Sequence, residues 1–537
     1  MDNPRLDLSR RTLLKSSLIG GALASVPGSA ATIESKSTSP VVETTSGKVR
    51  GVVNNGVHVY RGLPYGASTA GSNRFLPPRK MESWTGVRDA FQNGRSSPQV
   101  APAPGAIGWG LRSNAQQGED CLVLNVFSPG VNDGRKRPVM VWIHGGGYTY
   151  GSGSSLGYDG TNLARFGDVA VVCINHRLNI FGHLYLGGAG GAEFADSGNV
   201  GLLDIVASLQ WVRDNISHFG GDPANVTIFG QSGGGGKVST LLAMPAAKDM
   251  FHKAIVESGS TLKQVPKDEA AKTTEKFMAQ LGLKPNQVAD LQSMPLPKLL
   301  AAIRNVGAGG GGGMRLAPVV DGHSLPRDPF DPTAPEISAD VPMIIGTAET
   351  EGSYFSPPEL LSLDEAAVRA RLRERLANDG DRIYDLFRKN RPRATPSELY
   401  FTISAFPTNA TVQAERKAAL AKAPAFLYQI RWRTPVEGGR RLAPHCIEIP
   451  FAMQNIWQVP EMVGTGPELQ PLADKVSGAW VAFARSGNPS HAGIPKWPAY
   501  NASGRPSMHI DNDWKLVNDP DHDERLAMAQ FSRLPMF

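Results

Sequence analysis

An α/β architecture, with a mainly parallel central sheet flanked by helices and large helical insertions, is the fold this sequence predicts. Three observations predict it. Apolar runs short enough to be buried strands recur at 138–144 (PVMVWIH), 169–175 (VAVVCIN), 226–229 (VTIF), 254–258 (AIVES) and 341–346 (VPMIIG). Helical spacing falls between them, with Leu202, Ile205, Val206, Leu209, Val212 and Ile216 at intervals of three and four. VTIF then runs into a glycine-rich turn and the helical segment KVSTLLA. Strands that alternate with helices pair in parallel, because the helix carries the chain back over the sheet.

The chain divides simply. Residues 1–31 read as an export signal. Ser9-Arg10-Arg11-Thr12-Leu13-Leu14-Lys15 forms a charged start, SSLIGGALASV an apolar stretch, and Gly28-Ser29-Ala30-Ala31 a small-residue cleavage site. The stretch is too short to span a bilayer, and its paired arginines resemble a twin-arginine signal. A periplasmic or extracellular location follows as an expectation. Residues 32–40 are Ser/Thr-rich and read as a linker. From Val41 to Phe537 the text is globular, opening on the β-like runs VVETTSGKVRG and VHVYRGLPYG. The region 265–440 reads as helix-rich, with VPMIIG its one strand. Without an internal repeat or a clean break, 41–537 is expected to be one domain. The run Gly307–Gly313 is expected to be a surface loop, or a flap beside an entrance.

Composition excludes several classes of function. A net charge of +6 on 537 residues, with no basic stripe, gives no footing for nucleic acid. Three cysteines, Cys121, Cys173 and Cys446, make no disulfide framework, and Cys173 in VAVVCIN reads as a core thiol. A fold that needs no oxidising compartment suits export in the folded state. The histidines are too scattered for a metal cluster, and no cofactor motif is present.

Chemistry first shows at Gly230-Gln231-Ser232-Gly233-Gly234. A serine with glycines two residues before and after it can sit on a sharp strand-to-helix turn, exposed above the sheet. Gly153-Ser154-Ser155-Leu156-Gly157 matches the same pattern, but no strand leads into Ser155. Ser232 follows VTIF and precedes a helix, so Ser232 is the candidate nucleophile. Attack on a carbonyl also needs donors for the developing oxyanion. His144-Gly145-Gly146-Gly147 follows PVMVWI directly and offers backbone N–H groups, as does Gly233. The base and its orienting acid should follow in the order Ser, acid, His. VPMIIG leads into Thr347-Ala348-Glu349-Thr350-Glu351-Gly352, which offers two glutamates. The histidines after Ser232 are His252, His323, His445, His491, His509 and His522. His445, before the apolar EIPFAM, is the favourite, while Glu349 and Glu351 stay equal.

Many pieces of the chain together carry a family resemblance. They are YRGLPYG, GSNRF, GEDCLVLNVFSP, PVMVWIHGGGYTYGSG, NHRLNIFG, GNVGLLDIVASLQWVRDNISHFGGDPANVTIFGQSGG, KAIVESGS, APVVDG, MIIGTAETEGSYF, APHCIEIPF, WVAFARSGNP and WPAY. In this order they resemble the type-B carboxylesterases, the group of cholinesterases and bacterial para-nitrobenzyl esterases, from about Thr44 to the C-terminus. The resemblance implies an α/β-hydrolase fold and a serine carboxylic-ester hydrolase working through an acyl-enzyme. It places the nucleophile on Ser232, the acid on Glu351, the base on His445 and the oxyanion donors on Gly146, Gly147 and Gly233. Ser258 matches a serine close to the triad.

Four departures follow from the same resemblance. Gln231 stands where the family usually has Glu, which removes a negative charge and argues against quaternary ammonium substrates. Gly233 replaces the usual Ala, which a backbone role permits. Ser97 stands where a disulfide partner of Cys121 would be, so Cys121 is expected to be a free thiol. Cys446 replaces the Gly after the base and is expected to pack beside the histidine loop.

The expected partner is a small-molecule carboxylic ester, one with bulky groups included. Tyr148, Trp109, Phe355, Phe451 and Trp457 are its candidate contacts. No metal, cofactor, nucleic acid or membrane span is expected, and the chain is expected to be a monomer or a dimer. Two rivals keep the fold. One is an amide, carbamate or thioester hydrolase with the same triad, and the other is a binding module that has lost catalysis, against which the retained Ser232, Glu351 and His445 argue.

Overall fold

The structure, a computed structural model, describes residues 37–100, 113, 115–304 and 315–531. The export signal, Trp109 and Gly307–Gly313 lie outside the described residues. Fifteen strands occur among them: β1 (Thr38–Thr44), β2 (Gly47–Asn54), β3 (Val57–Pro64), β4 (Val87–Asp89), β5 (Val123–Ser128), β6 (Arg137–Ile143), β7 (Ala170–Ile174), β8 (Gly221–Gln231), β9 (Lys253–Glu257), β10 (Val265–Pro266), β11 (Val319–Val320), β12 (Met343–Ala348), β13 (Ala425–Ile430), β14 (Pro506–Ile510) and β15 (Lys515–Asn518). β1 begins at Thr38, inside the span read as linker.

One large sheet runs β1-β2-β3-β5-β7-β6-β8-β9-β12-β13-β14-β15, with β4 beside β2, while β10 and β11 pair separately. Its centre, from β7 through β6, β8, β9, β12 and β13 to β14, is parallel. The pairs β1–β2, β2–β3, β3–β5, β5–β7 and β14–β15 are antiparallel. This is the α/β-hydrolase arrangement.

The central strands read as unbroken apolar runs because both of their faces are covered. On β6, Val139, Val141 and Ile143 enter the core on one side, while Met140 and Trp142 enter the core on the other. Side chains alternate with a period of two, so one strand feeds both layers. Helix Val200–Asn215 covers the first side with Leu202, Ile205, Val206, Leu209 and Val212. Helix Leu469–Ser486 covers the second with Leu472, Val476, Trp480 and Phe483.

The region 265–440 departs from its reading. Besides β12 it holds β13 (AFLYQI), which pairs with β12 from Met343↔Ala425 to Ala348↔Ile430. Periodicity alone does not separate a six-residue apolar run from a helical turn. Helices Glu365–Leu376, Gly380–Asn390 and Pro396–Ser404 pack on one another through Val368, Leu372, Ile383, Phe387 and Ile403, as a layer with its own small core.

One buried charge ties the helix layer to the loop after β7. Asp204, on the inner face of Val200–Asn215, is 0% exposed and takes a fork from Arg177 (Nε–Oδ2 2.8 Å, Nη2–Oδ1 2.7 Å) as well as the Arg177 amide (3.0 Å). Removing one partner of such a pair leaves an uncompensated buried charge. Asp204→Ala should therefore cost about 3–5 kcal/mol, measured as a lower midpoint in calorimetry. An unchanged midpoint would mean that Arg177 finds solvent.

Candidate active site

Strand β8 ends at Gln231, helix Gly233–Leu241 begins at Gly233, and Ser232 is the turn between them. Its φ of 58° and ψ of −125° are strained for a residue with a Cβ. The backbone holds it there. The Ser232 amide donates to the carbonyl of Glu257 on β9 (2.8 Å), and the Ser232 carbonyl accepts from the Gly236 amide (2.9 Å). A side chain at Gly234 would overlap the carbonyl of Ile143, so glycine is required for the helix to pass β6 this closely. Ser155 has no such setting: it is buried, and its Oγ donates to the Ser152 carbonyl at 3.1 Å.

Beside the turn lies the loop after β6. Gly146 and Gly147 have φ of 86° and 60°, in the left-handed region, and a Cβ at Gly146 would strike the carbonyl of Tyr150. A Cβ at Gly233 would overlap the carbonyl of Gly147. Here the position usually held by Ala admits only Gly without displacing the loop, a tighter constraint than a backbone role alone implies. The three candidate oxyanion donors thus belong to two segments in contact.

The structure separates the two glutamates. Glu349 turns toward Arg431 (3.7 Å) and Arg433 (4.0 Å). Glu351 is 1% exposed, accepts from the Ala348 amide through Oε1 (2.7 Å) and meets His445 Nδ1 through Oε2 in a short contact. Because a carboxylate only accepts, Nδ1 carries the proton, and Nε2 is left to act on another group. Burial pushes the imidazole pKa down, and the carboxylate of Glu351 against Nδ1 opposes it and holds His445 above its ordinary value. Burial also pushes the Cys446 thiol up. It is therefore a neutral S–H near neutral pH, and the charge that sustains the imidazolium is that of Glu351.

Gln231 lies over this ring. Its Nε2 is 3.3 Å from His445 Nδ1 and 3.2 Å from Nε2. A position so nearly equidistant is over the ring face, since in the ring plane the atom would overlap Cε1. Cys446 Sγ–H donates to Gln231 Oε1 at 3.1 Å, which fixes the amide with its N–H₂ toward the imidazole. Cys446 and Gln231, two departures from the resemblance, are thus one contact.

Two further buried acids stand close by, neither singled out in the sequence reading. Glu257, at the end of β9, accepts from Trp480 Nε1 (2.6 Å), and Glu448 accepts from Ser258 Oγ (3.1 Å). Each keeps one carboxylate oxygen buried without a partner. Burial raises both pKa values, and repulsion adds to it, from Glu448 on Glu257 and from Glu351 on Glu448. Each lies inside an apolar string, AIVES and CIEIPF, and an acid so placed is the signal that could have found them.

The proposed substrate contacts fare unequally. Phe355 is 45% exposed, with its ring 5.2 Å from that of His445. Tyr148 packs edge-on to His183 and accepts from Gln264 Nε2 at 3.0 Å. Phe451 is a correction: it is 1% exposed and sits edge-on to Trp432 in the core, where an ester cannot reach it. Trp457 has its ring at the surface, and its Nε1 donates to Gln470 on helix Leu469–Ser486 (3.3 Å). A cavity lined by Ser258, Ser260, Thr347, Leu372, Ile403 and Phe406 adjoins the Ser258–Glu448 contact. Cys121, Cys173 and Cys446 are free and buried. One group of potential metal ligands occurs among the described residues, Asp196, Asp321 and His323, and it includes no residue of this site.

Comparison with known proteins bears on the same residues. The model of the carboxylesterase family matches residues 38–529. The chain belongs to the carboxylesterase family. Like its relatives, this esterase is a carboxylic-ester hydrolase. It is 36% identical to the para-nitrobenzyl esterase of Bacillus subtilis over 91% of this chain and 98% of that one. It is 32% identical to the phenmedipham hydrolase of Pseudarthrobacter oxydans, over 90% and 98%. Among solved structures, a Geobacillus stearothermophilus carboxylesterase superposes with a TM-score of 0.79 at 36% identity, covering 91% of this esterase and 99% of the other.

The buried acids make stability depend on pH. Glu257 in the folded esterase keeps its proton above the ordinary value of 4.5, while the unfolded chain loses it there. The cost of burying it is absent below that value and grows as pH rises. Glu257→Gln, which still accepts from Trp480, should match wild type in thermal midpoint at pH 4.5 and exceed it at pH 8 by about 1–3 °C. An offset equal at both pH values would refute the cause given.

Proposed function

We propose that Ser232, His445 and Glu351 form the triad of this ester hydrolase, with Gly146, Gly147 and Gly233 donating to the oxyanion. Ser232 Oγ attacks the ester carbonyl as His445 Nε2 takes its proton. Glu351 keeps the other ring nitrogen protonated and stabilises the imidazolium. The carbonyl oxygen, now negative, is received by the backbone N–H groups of the loop and of Gly233. His445 returns the proton to the departing alcohol. Water then enters by the same route, and the acid is released from the acyl-serine. Every step is completed by these side chains and water.

One observation supports this reading most: a strained serine at a strand–helix turn has the loop after β6 against it, and the neighbouring Gln231 touches an imidazole whose far nitrogen is held by a buried carboxylate. Phe355, exposed beside His445, favours esters with an aromatic or otherwise bulky group. The names of two relatives point the same way: one is a para-nitrobenzyl esterase, and an esterase of Clostridium hathewayi is described as hydrolysing aliphatic aromatic polyesters. Gln231 in place of an acid leaves the site without the added negative charge that a cationic substrate would seek.

We also infer that residues 1–31 export the enzyme by a twin-arginine route, on the strength of Arg10-Arg11 and the small-residue site that follows. No helix among the described residues is long and apolar enough to cross a membrane.

Ser232→Ala should lower kcat on para-nitrobenzyl esters at least about 10⁴-fold and abolish labelling by a fluorophosphonate. Retained activity, or a label on another serine, would overturn the triad. Arg10→Lys with Arg11→Lys should leave the activity in the cytoplasmic fraction of an expressing bacterium. Unchanged export would remove the twin-arginine reading and leave the triad untouched.

A further inference from the structure

Lys237 stands one turn into helix Gly233–Leu241, in the string GGGGKVSTLL, and is 0% exposed. A lysine is rarely buried without a partner carrying the opposite charge. Among the described residues no carboxylate lies within ion-pair distance of it. Its Nζ donates instead to two backbone carbonyls, those of His144 (3.1 Å) and Gly147 (2.9 Å). These are the two ends of the glycine loop that follows β6. The groups around it are uncharged: burial pushes His144 and His183 down to about 3 and His176 well below its ordinary value, so all three imidazoles are neutral. The Tyr148 ring lies 5.5 Å from Nζ.

We propose that Lys237 is the positioning residue of the oxyanion hole, a side chain that ties both ends of the loop 144–147 to the helix that carries Ser232. This rests on the triad and oxyanion assignment above. The physical argument concerns the loop. Gly146 and Gly147 have left-handed φ values and no side chains of their own to anchor them. A peptide unit in such a loop can rotate, and a rotation of the 145–146 or 146–147 peptide would turn the N–H of Gly146 or Gly147 away from the reacting oxygen. The carbonyls of His144 and Gly147 belong to the 144–145 and 147–148 peptides, which flank the two donor-bearing peptides, so bonding both from Nζ pins the loop on either side of the donors. Donors held in place before the reaction cost no reorganisation in it. The tether works in either protonation state, because a neutral amine still has two N–H donors. Burial pushes the lysine pKa down to about 7, and below that value the ammonium adds a positive charge behind the loop.

The test is Lys237→Met, which keeps the length and the apolar stem but removes the donors. It should lower kcat by about 10- to 100-fold and leave KM within about threefold. Affinity for a trifluoromethyl ketone, whose adduct with Ser232 carries an oxyanion, should fall in parallel with kcat. Binding of the matching secondary alcohol, which forms no adduct, should be unchanged. A variant that merely packed badly would not separate these two inhibitors. A kcat within twofold of wild type, or an unaltered ketone affinity, overturns the proposal. Ser232→Ala, measured alongside, distinguishes the failures: if it is active, the triad reading has failed, and if it is inactive while Lys237→Met is active, only the tether has failed. Should Lys237→Met not fold, a crystal structure of the wild-type ketone adduct decides. Nζ within about 3.2 Å of both carbonyls in the adduct supports the tether, and either bond broken there overturns it.

Discussion

The backbone bond from the Ser232 amide to the carbonyl of Glu257 is the contact on which the site depends. A residue at φ 58° and ψ −125° costs about 1–3 kcal/mol of strain and persists only where the surroundings leave it no alternative. Here the end of β9 supplies the acceptor, the first turn of the following helix closes on the Ser232 carbonyl, and β6 and β9 press so near that no side chain fits at Gly234 or Gly259. The parallel centre of the sheet is what brings these chain ends to one edge. Once the serine is raised above that edge, the loop after β6 and the histidine loop have a fixed object against which to be placed.

Electrostatics around the turn follows a division of labour among three buried acids. Glu351 is the one with a cationic partner, and it also has a backbone amide on its second oxygen. Glu257 and Glu448 have one neutral donor each and an orphaned oxygen, so burial keeps them protonated over a wide range. A weaker tendency of Glu448 to ionise matters near His445, because a further anion would hold the imidazolium more strongly against releasing its proton to the alcohol. Gln231 extends the same economy: an amide over the ring contributes a dipole where a carboxylate would contribute a charge.

Much of this was legible in the sequence, for identifiable reasons. The central strands are covered on both faces and so appear as unbroken apolar runs, and Ser232 is marked by the strand before it and the helix after it. β13 is not legible, because AFLYQI carries no alternation and is too short to show a helical period. The choice between Glu349 and Glu351 is invisible locally, since the two are two residues apart in one irregular segment. It is made by distant partners, Arg431 and Arg433 for the first and His445 for the second. Only the family resemblance singles out Glu351 from sequence. Phe451 shows the reverse error, because an aromatic residue near His445 in sequence belongs as readily to the core. Lys237 is legible too, since a cation in an otherwise apolar and glycine-rich string is anomalous by composition alone.

The spacing of the site along the chain has a temporal consequence. Gln231 and His445, in contact, are 214 residues apart, and His445 and Glu351 are 94 apart. Contacts of such long range form late, because closing the intervening loops costs entropy before any contact repays it. β12 must be seated on β9, and β13 on β12, before the acid and the base can meet beside the serine. On the proposed triad, a partly collapsed chain therefore contains Ser232 but not the base and acid that would activate it. With the triad proposed above, hydrolytic power is completed by folding itself.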